Sequence, residues 1–236
     1  MRKVAIVQSC YIPWKGYFDI IKAVDHFVLY DDVQYAKRHW HNRNRIMTRQ
    51  GPIWLTIPVN SKGQYLQNID EVTVSEPWAE KHWRSIEHNY ARAPHFSLYK
   101  DWLRELYEKA EALQRLTEIN ELFTRAICSK LDLQTEISRS SDYNARGRKT
   151  DRLLALCQEL GADEYLSGPA AQDYFEGEKF DRAGIAYSWM DYGGYPQYHQ
   201  SGPEFEHGVT VLDLMFNTGP EAASFMKPFP KEKRPS

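Results

Sequence analysis

The hydrophobic positions change their spacing several times along the chain, and each change marks an element. Lys3-Val4-Ala5-Ile6-Val7-Gln8 is apolar between polar ends, which predicts a buried strand. The run breaks at Ser9-Cys10-Tyr11-Ile12-Pro13-Trp14-Lys15-Gly16, and a helical stretch follows from Tyr17 to Val24. His26-Phe27-Val28-Leu29-Tyr30 reads as a second buried strand, ending on Asp31-Asp32. Two strands linked through a helix form a βαβ unit and imply a parallel sheet. The segment from Gln34 to Arg45 follows neither the helical nor the strand period.

Asn44 to Met47 and Pro52 to Pro58 flank the turn Arg49-Gln50-Gly51 and read as a hairpin, with Val72 to Val74 as a candidate third strand. Helices are expected from Pro77 to Tyr90 behind Ser75 as N-cap, from Pro94 through Tyr107, and from Leu113 to Leu131. Gln134 to Ser138, Asp163 to Ser167 and Gly184 to Trp189 read as short strands. Thr150 to Leu160 reads as a helix between an N-cap threonine and Gly161, and Val209 to Phe216 as the last helix. The pattern predicts an α/β fold: a central, mainly parallel Rossmann-like sheet with helices on both faces, plus an inserted lobe of hairpin and helices over about 44–131. Residues 1–226 are read as one domain, and the Pro- and Lys-rich stretch 227–236 as a flexible tail.

Composition narrows the field. The formal net charge of -2 gives no global field toward nucleic acid or a membrane surface. With 7 Trp and 15 Tyr, some rings must be partly exposed, and such rims suit stacking on a base or a sugar face. Cys10, Cys128 and Cys157 form no CxxC pair or zinc spacing, which points to a reduced compartment. The first apolar segment is too short for a signal peptide, and no run reaches the roughly 20 residues a bilayer requires. A cytoplasmic protein is expected.

In open parallel sheets ligands sit beyond the carboxyl ends of the strands. That rule gathers the candidate chemistry on one rim. The loop Ser9 to Gly16 precedes a helix N-terminus, whose free N–H groups suit a phosphate, with Lys15 adding a charge and Gly16 allowing close approach. Alternatively, Pro13-Trp14 turns the chain and Trp14 packs on the sheet. The loop carries neither a Walker motif nor G-x-G-x-x-G. Asp31 and Asp32 could hold Mg²⁺ on a diphosphate, or one could cap the turn. The run Lys37, Arg38, His39, His41, Asn42, Arg43 and Arg45, interleaved with Tyr35 and Trp40, offers anion contacts through Arg43 or Arg45. A basic loop at Arg146, Arg148 and Lys149, and the small-residue loop Ser167-Gly168-Pro169, could reach the same ligand. His207 and Asp213, near the last helix, are weaker candidates.

Val4-Ala5-Ile6-Val7-Gln8-Ser9, Tyr11-Ile12-Pro13-Trp14-Lys15-Gly16-Tyr17-Phe18-Asp19, Asp31-Asp32-Val33-Gln34-Tyr35 and Trp40-His41-Asn42-Arg43-Asn44 resemble the WbqC-like family. Leu160-Gly161-Ala162, Tyr165-Leu166-Ser167-Gly168 and Leu212-Asp213-Leu214 through Phe216-Asn217-Thr218-Gly219-Pro220 extend the likeness over nearly the whole chain. The strand-loop-helix opening also looks like that of the nucleotidylyltransferase and pantothenate-synthetase superfamily, without its two loop histidines.

The resemblance implies work in cell-surface polysaccharide, or O-antigen, biosynthesis. A nucleotide-dependent transferase would modify a nucleotide-linked sugar or activate a group for transfer to it. Asp32, His41 and Asp213 are the expected catalytic groups. Ser9, Tyr11, Trp14, Lys15, Gly16, Gln34, Asn42, Arg43, Arg45, Arg148, Ser167 and Gly168 are the expected contacts to ATP or a nucleotide-sugar. Mg²⁺ at Asp31 and Asp32 is the expected metal. The alternative is a non-catalytic carbohydrate- or protein-binding component of the same pathway. Nucleic-acid binding through Lys37 to Arg49 is the reading that the net charge favours least.

Overall fold

The computed structural model describes residues 1–228. Lys3–Val7 forms strand β1, and the helix α1, Lys15–Lys22, returns the chain to β2, His26–Leu29. A hairpin of β3, Arg43–Thr48, and β4, Gly51–Thr56, comes next. Helices α2 (Ala79–Tyr90), α3 (Phe96–Glu111) and α4 (Leu116–Lys130) complete the inserted lobe. The sheet resumes with β5, Glu136–Arg139, followed by α5, Thr150–Glu159, and β6, Glu164–Ser167. Then come α6, Gly177–Ala183, β7, Ala186–Trp189, and α7, Val211–Thr218.

The five sheet strands lie in the order β5-β2-β1-β6-β7, and all four pairings are parallel. Chain order therefore runs outward from β1 to one edge and then from β6 to the other. The strand order reverses between β1 and β6, the position at which open parallel sheets carry their ligands, because the flanking crossovers leave on opposite faces. Alternation along the strands sorts the core. Ala5, Phe27 and Leu29 face α1, the helical lobe and α7, whereas Val4, Ile6 and Val28 face α5 and α6. The larger core is aromatic: Tyr11, Trp78, Tyr107 and Phe123 meet edge-on with ring centres 5.1–5.9 Å apart.

Several local expectations are corrected. Ser75 does not cap α2; Glu111 of α3 accepts the Ala79 N–H at 2.7 Å and ties the two helices together. Thr150 is inside α5 rather than its cap, and its hydroxyl accepts the Glu176 N–H at 3.3 Å. Val72 to Val74 makes isolated bridges to Val59 and Arg115 instead of joining the hairpin. Helix α6 has no counterpart in the sequence reading. At the far end, the Lys227 N–H donates to Asp19 Oδ1 at 3.0 Å. The remainder of the expected tail, 229–236, lies outside the described residues.

Candidate functional site

The loop after β1 is held from three sides. Asn44 of β3 donates from its amide to the carbonyls of Tyr11 (3.1 Å) and Ile12 (2.7 Å). These bonds support Ile12 at φ +38°, a conformation side-chain-bearing residues seldom adopt. The Tyr11 N–H donates to the Trp40 carbonyl (3.0 Å), and the Val211 N–H of α7 to the Pro13 carbonyl (2.9 Å). Trp14 folds back across the start of α1. A Cβ at position 16 would lie 2.3 Å from its ring, which is why glycine stands there. Trp14 also meets Tyr192 and Tyr195 edge-on, with ring centres 5.1 and 5.7 Å away.

This arrangement buries Lys15, which is 2% exposed. Among the described residues its ammonium has one polar contact, the Pro196 carbonyl at 3.4 Å, and sits 4.6 Å from the centre of the Tyr195 ring and 5.4 Å from that of Tyr198. Burial lowers its pKa to about 8, with Asp19 and Asp213 pulling the other way. The carboxylates themselves are occupied. Asp213 accepts from Tyr90 (2.8 Å), Tyr198 (2.7 Å) and Gln200 (2.6 Å). Asp19 accepts from the Tyr195 hydroxyl (2.5 Å) and from Lys227 N–H. His207 packs against Phe205 and Tyr195, and its buried Nδ1 has no partner among the described residues. Burial and then the Lys15 charge lower the His207 pKa. The result is a cage of one under-partnered cation among aromatic faces, with its counter-charges held one bond further out.

Other predicted residues join this cage by contact. Gly168 brings the end of β6 to within 4.0 Å of the Tyr192 hydroxyl, measured from an ideal Cβ. The Ser167 carbonyl accepts the Met190 N–H (2.8 Å), which ties the start of the 190–208 segment to the end of β6. Arg45 donates to the Gly208 carbonyl (3.1 Å) and pairs with Glu206 (3.2 Å), on either side of His207.

The rest are placed elsewhere. Tyr11 is 1% exposed, and its hydroxyl is shared with His82 (2.9 Å) and Tyr107 (2.7 Å) inside the core. Ser9, Asp31, His41, Thr117 and Asn120 form a buried polar network. Asp31 accepts from the Ser9 N–H (2.8 Å) and from Thr117, while Asn120 donates to the Ser9 hydroxyl (3.0 Å) and the His41 carbonyl (2.9 Å). His41 donates from Nδ1 to the Ser9 carbonyl (3.0 Å), and burial lowers its pKa to about 4, so it is neutral at pH 7. Asn42 donates to the Ile57 carbonyl (2.8 Å), and Gln34 to the Tyr65 carbonyl (2.7 Å). Arg43 lies over the Trp54 ring at 4.2 Å. Arg148 is exposed at the start of α5, a helix that packs on the opposite face of the sheet from α1 and α7.

The paired-carboxylate reading does not fit. Asp31 turns toward α4, whereas Asp32 turns toward α5 and binds Ser140 (2.5 Å) and Arg152. Their oxygens diverge across the sheet and are already taken. Among the described residues no cluster of three His, Cys, Asp or Glu side chains could hold a metal ion. Nor do the described residues contain a helix long and apolar enough to cross a membrane.

Asp19 and Gln200 were not singled out from the sequence. A carboxylate set within the apolar run Tyr17-Phe18-Asp19-Ile20-Ile21 was the available signal for Asp19.

The family model for the WbqC-like protein family matches residues 8–225. The chain is also 47% identical over 228 residues to the uncharacterized protein Rv1507c of Mycobacterium tuberculosis, covering 96% of this chain and 98% of that relative. No solved structure matches it. The motif-bearing loops at the rim lie within the matched range, and the chain belongs to the WbqC-like protein family.

Proposed function

We propose that the protein is a nucleotide-dependent transferase of cell-surface polysaccharide biosynthesis, acting on a nucleotide-linked sugar at the β1–β6 switch point. The observation that carries this reading is the buried, under-partnered ammonium of Lys15 in the first loop of a sheet with a topological switch point. A buried cation without a direct counter-ion is costly to maintain. A diphosphate would supply the missing charge and gain from a low-dielectric surrounding. The start of α1 does not add an open anion site as the sequence suggested: the Trp14 ring covers Gly16, and the Tyr17 N–H donates to the Trp14 carbonyl at 3.1 Å. Trp14 and Tyr192, both half-buried, would offer the aromatic surface for a base or a sugar, since the Tyr195 ring is taken by Lys15 and Lys227.

Within this reading Lys15 holds the phosphates and stabilises charge that develops on them during transfer. Asp213 acts through Tyr198 and Gln200, fixing the wall of the cage rather than touching the substrate. His207, neutral and with an Nδ1 that has no partner among the described residues, is the group best placed to accept a proton beside Lys15. Isothermal titration with ATP, UDP-sugars, dTDP-sugars and CMP-sugars tests the reading. Saturable binding by one class, lost in Lys15→Met, is expected. Absence of binding by every class at millimolar concentration would contradict it.

A further inference from the structure

The hairpin carries a second feature that the Lys15 cage does not use. Trp40 and Trp54 are 37% and 46% exposed, with ring centres 5.2 Å apart and planes inclined by 37°. Register explains the pair. Trp54 of β4 stands opposite Arg45 of β3, so Arg45 faces it directly and Arg43 diagonally. Arg43 covers one face of the Trp54 ring at 4.2 Å, and Arg45 sits 5.8 Å from both rings.

The two arginines are not equivalent. Both keep a buried Nε without a partner among the described residues, but Arg45 is neutralised by Glu206, whereas Arg43 donates to the Arg38 carbonyl and pairs with no carboxylate there. The platform therefore combines the exposed surface of a tilted indole pair with one guanidinium that has no carboxylate partner among the described residues. It is also fixed to the candidate site. The Trp40 carbonyl holds the Tyr11 N–H, and Arg45 reaches Gly208 next to His207.

We infer that Trp40 and Trp54 form a binding platform for an acidic saccharide, with Arg43 reading the sugar's carboxylate. The two indoles overlap partly at this spacing and tilt, and a pyranose ring presents an apolar C–H face that packs on the surface they leave exposed. A nucleobase is fitted less well, because Arg43 already fills one face of Trp54 and leaves no slot for a sandwich. Arginine presents a forked donor that matches a carboxylate, which favours a uronate over a neutral sugar. This inference deepens the transferase reading and rests on it for its meaning. The platform would hold the acceptor glycan, while the nucleotide-linked donor occupies the Lys15 cage.

The test is calorimetry on the whole protein with trigalacturonic acid, neutral maltotriose and UMP as probes, melting curves confirming that each variant is folded. The acidic trisaccharide is expected to bind, and the neutral one more weakly. Trp54→Ala should weaken trigalacturonate by roughly tenfold, and Trp54→Tyr should restore most of the loss. Arg43→Gln should abolish the preference for the acid while leaving maltotriose unchanged. Lys15→Met should leave saccharide binding intact.

The inference is overturned if neither saccharide binds at millimolar concentration, or if Trp54→Ala binds as the parent does. Loss of UMP affinity in Trp54→Ala would assign the platform to a base instead. A change of oligomeric mass in Trp40→Ala by sedimentation would assign it to a second copy of the chain. Failure of the nucleotide-sugar titrations with saccharide binding preserved would remove the transferase reading and leave the platform standing. The converse result would remove the platform alone.

Discussion

The Lys15 ammonium lies 4.6 Å from the centre of the Tyr195 ring, and the hydroxyl of that same ring donates to Asp19 at 2.5 Å. The tyrosine separates a buried cation from a buried anion and bonds to the anion while its face meets the cation. Asp213 repeats the arrangement through Tyr198. In both cases the carboxylate that could have neutralised Lys15 is spent on a hydroxyl. This keeps the lysine charged but uncommitted.

Lys15 gives a pH signature with a definite sign. Its folded pKa of about 8 lies below the ordinary lysine value, so between about 8 and 10.5 the unfolded chain binds the extra proton. Its contribution to stability therefore rises with pH across that window and is unfavourable below it. Lys15→Met should stabilise the fold at pH 7 by on the order of 1–3 kcal/mol and flatten the slope between pH 8 and 10. Urea unfolding at a series of pH values measures both. Phosphate-ligand affinity should fall as pH rises through about 8.

Two buried histidines act in the acid range. Burial lowers both His41 and His82 to about 4, so each is neutral when folded and charged when unfolded between that value and 6.5. Their contribution is present above the unfolded value and is lost as pH falls toward 4. Carbon-detected NMR titration should show both rings neutral at pH 5.5. A ring that titrates near 6.5 in the native state would show that it is more open to solvent than its position implies.

Tyr11 separates a structural role from a binding one. Tyr11→Phe removes a hydroxyl shared by His82 and Tyr107 and should cost about 1–2 kcal/mol in unfolding free energy. Ligand affinity should be unchanged, because the ring stays in the core. Asp213→Ala should be harsher, about 3 kcal/mol or more, since it strands two tyrosine hydroxyls and a glutamine amide. Denaturant titration beside calorimetry distinguishes the two.

Asp32 is a positioning ion rather than a metal ligand on this geometry. It binds Arg152 and Ser140 and so pins α5 to the end of β2. Addition of Mg²⁺ without nucleotide should not raise the melting temperature of the parent, and Asp32→Asn should lower it with or without the ion. A magnesium-dependent stabilisation that Asp32→Asn abolishes would refute this assignment.

The inner strands β2, β1 and β6 were legible because they are short, buried runs bounded by polar loops. The crossover Val7–His26 is too long for a hairpin, which made the parallel pairing of β1 and β2 readable. The hairpin followed from the turn signal Arg49-Gln50-Gly51, with Gly51 opening β4 at φ +115°. What the sequence did not carry was direction. Asp31 and Asp32 are neighbours in the chain, yet strand alternation sends them to opposite faces, and only partners distant in sequence fix where each ends.

Tyr11 and Lys15 share a loop, but one points into the lobe and the other toward the segment 190–208. That segment has no regular period, so nothing local could place Tyr195, Tyr198 or Gln200 around a lysine 180 residues earlier. Arg148 failed for the same reason: a basic helix start is local, whereas the face on which α5 packs is set by the whole sheet.

The most direct measurement is a crystal structure of the protein with a bound nucleotide-sugar. The diphosphate is expected at the β1–β6 switch point, within hydrogen-bonding distance of Lys15 Nζ and bordered by Trp14 and Gly168. A diphosphate held elsewhere, with Lys15 still facing Tyr195 and Pro196 alone, would contradict it.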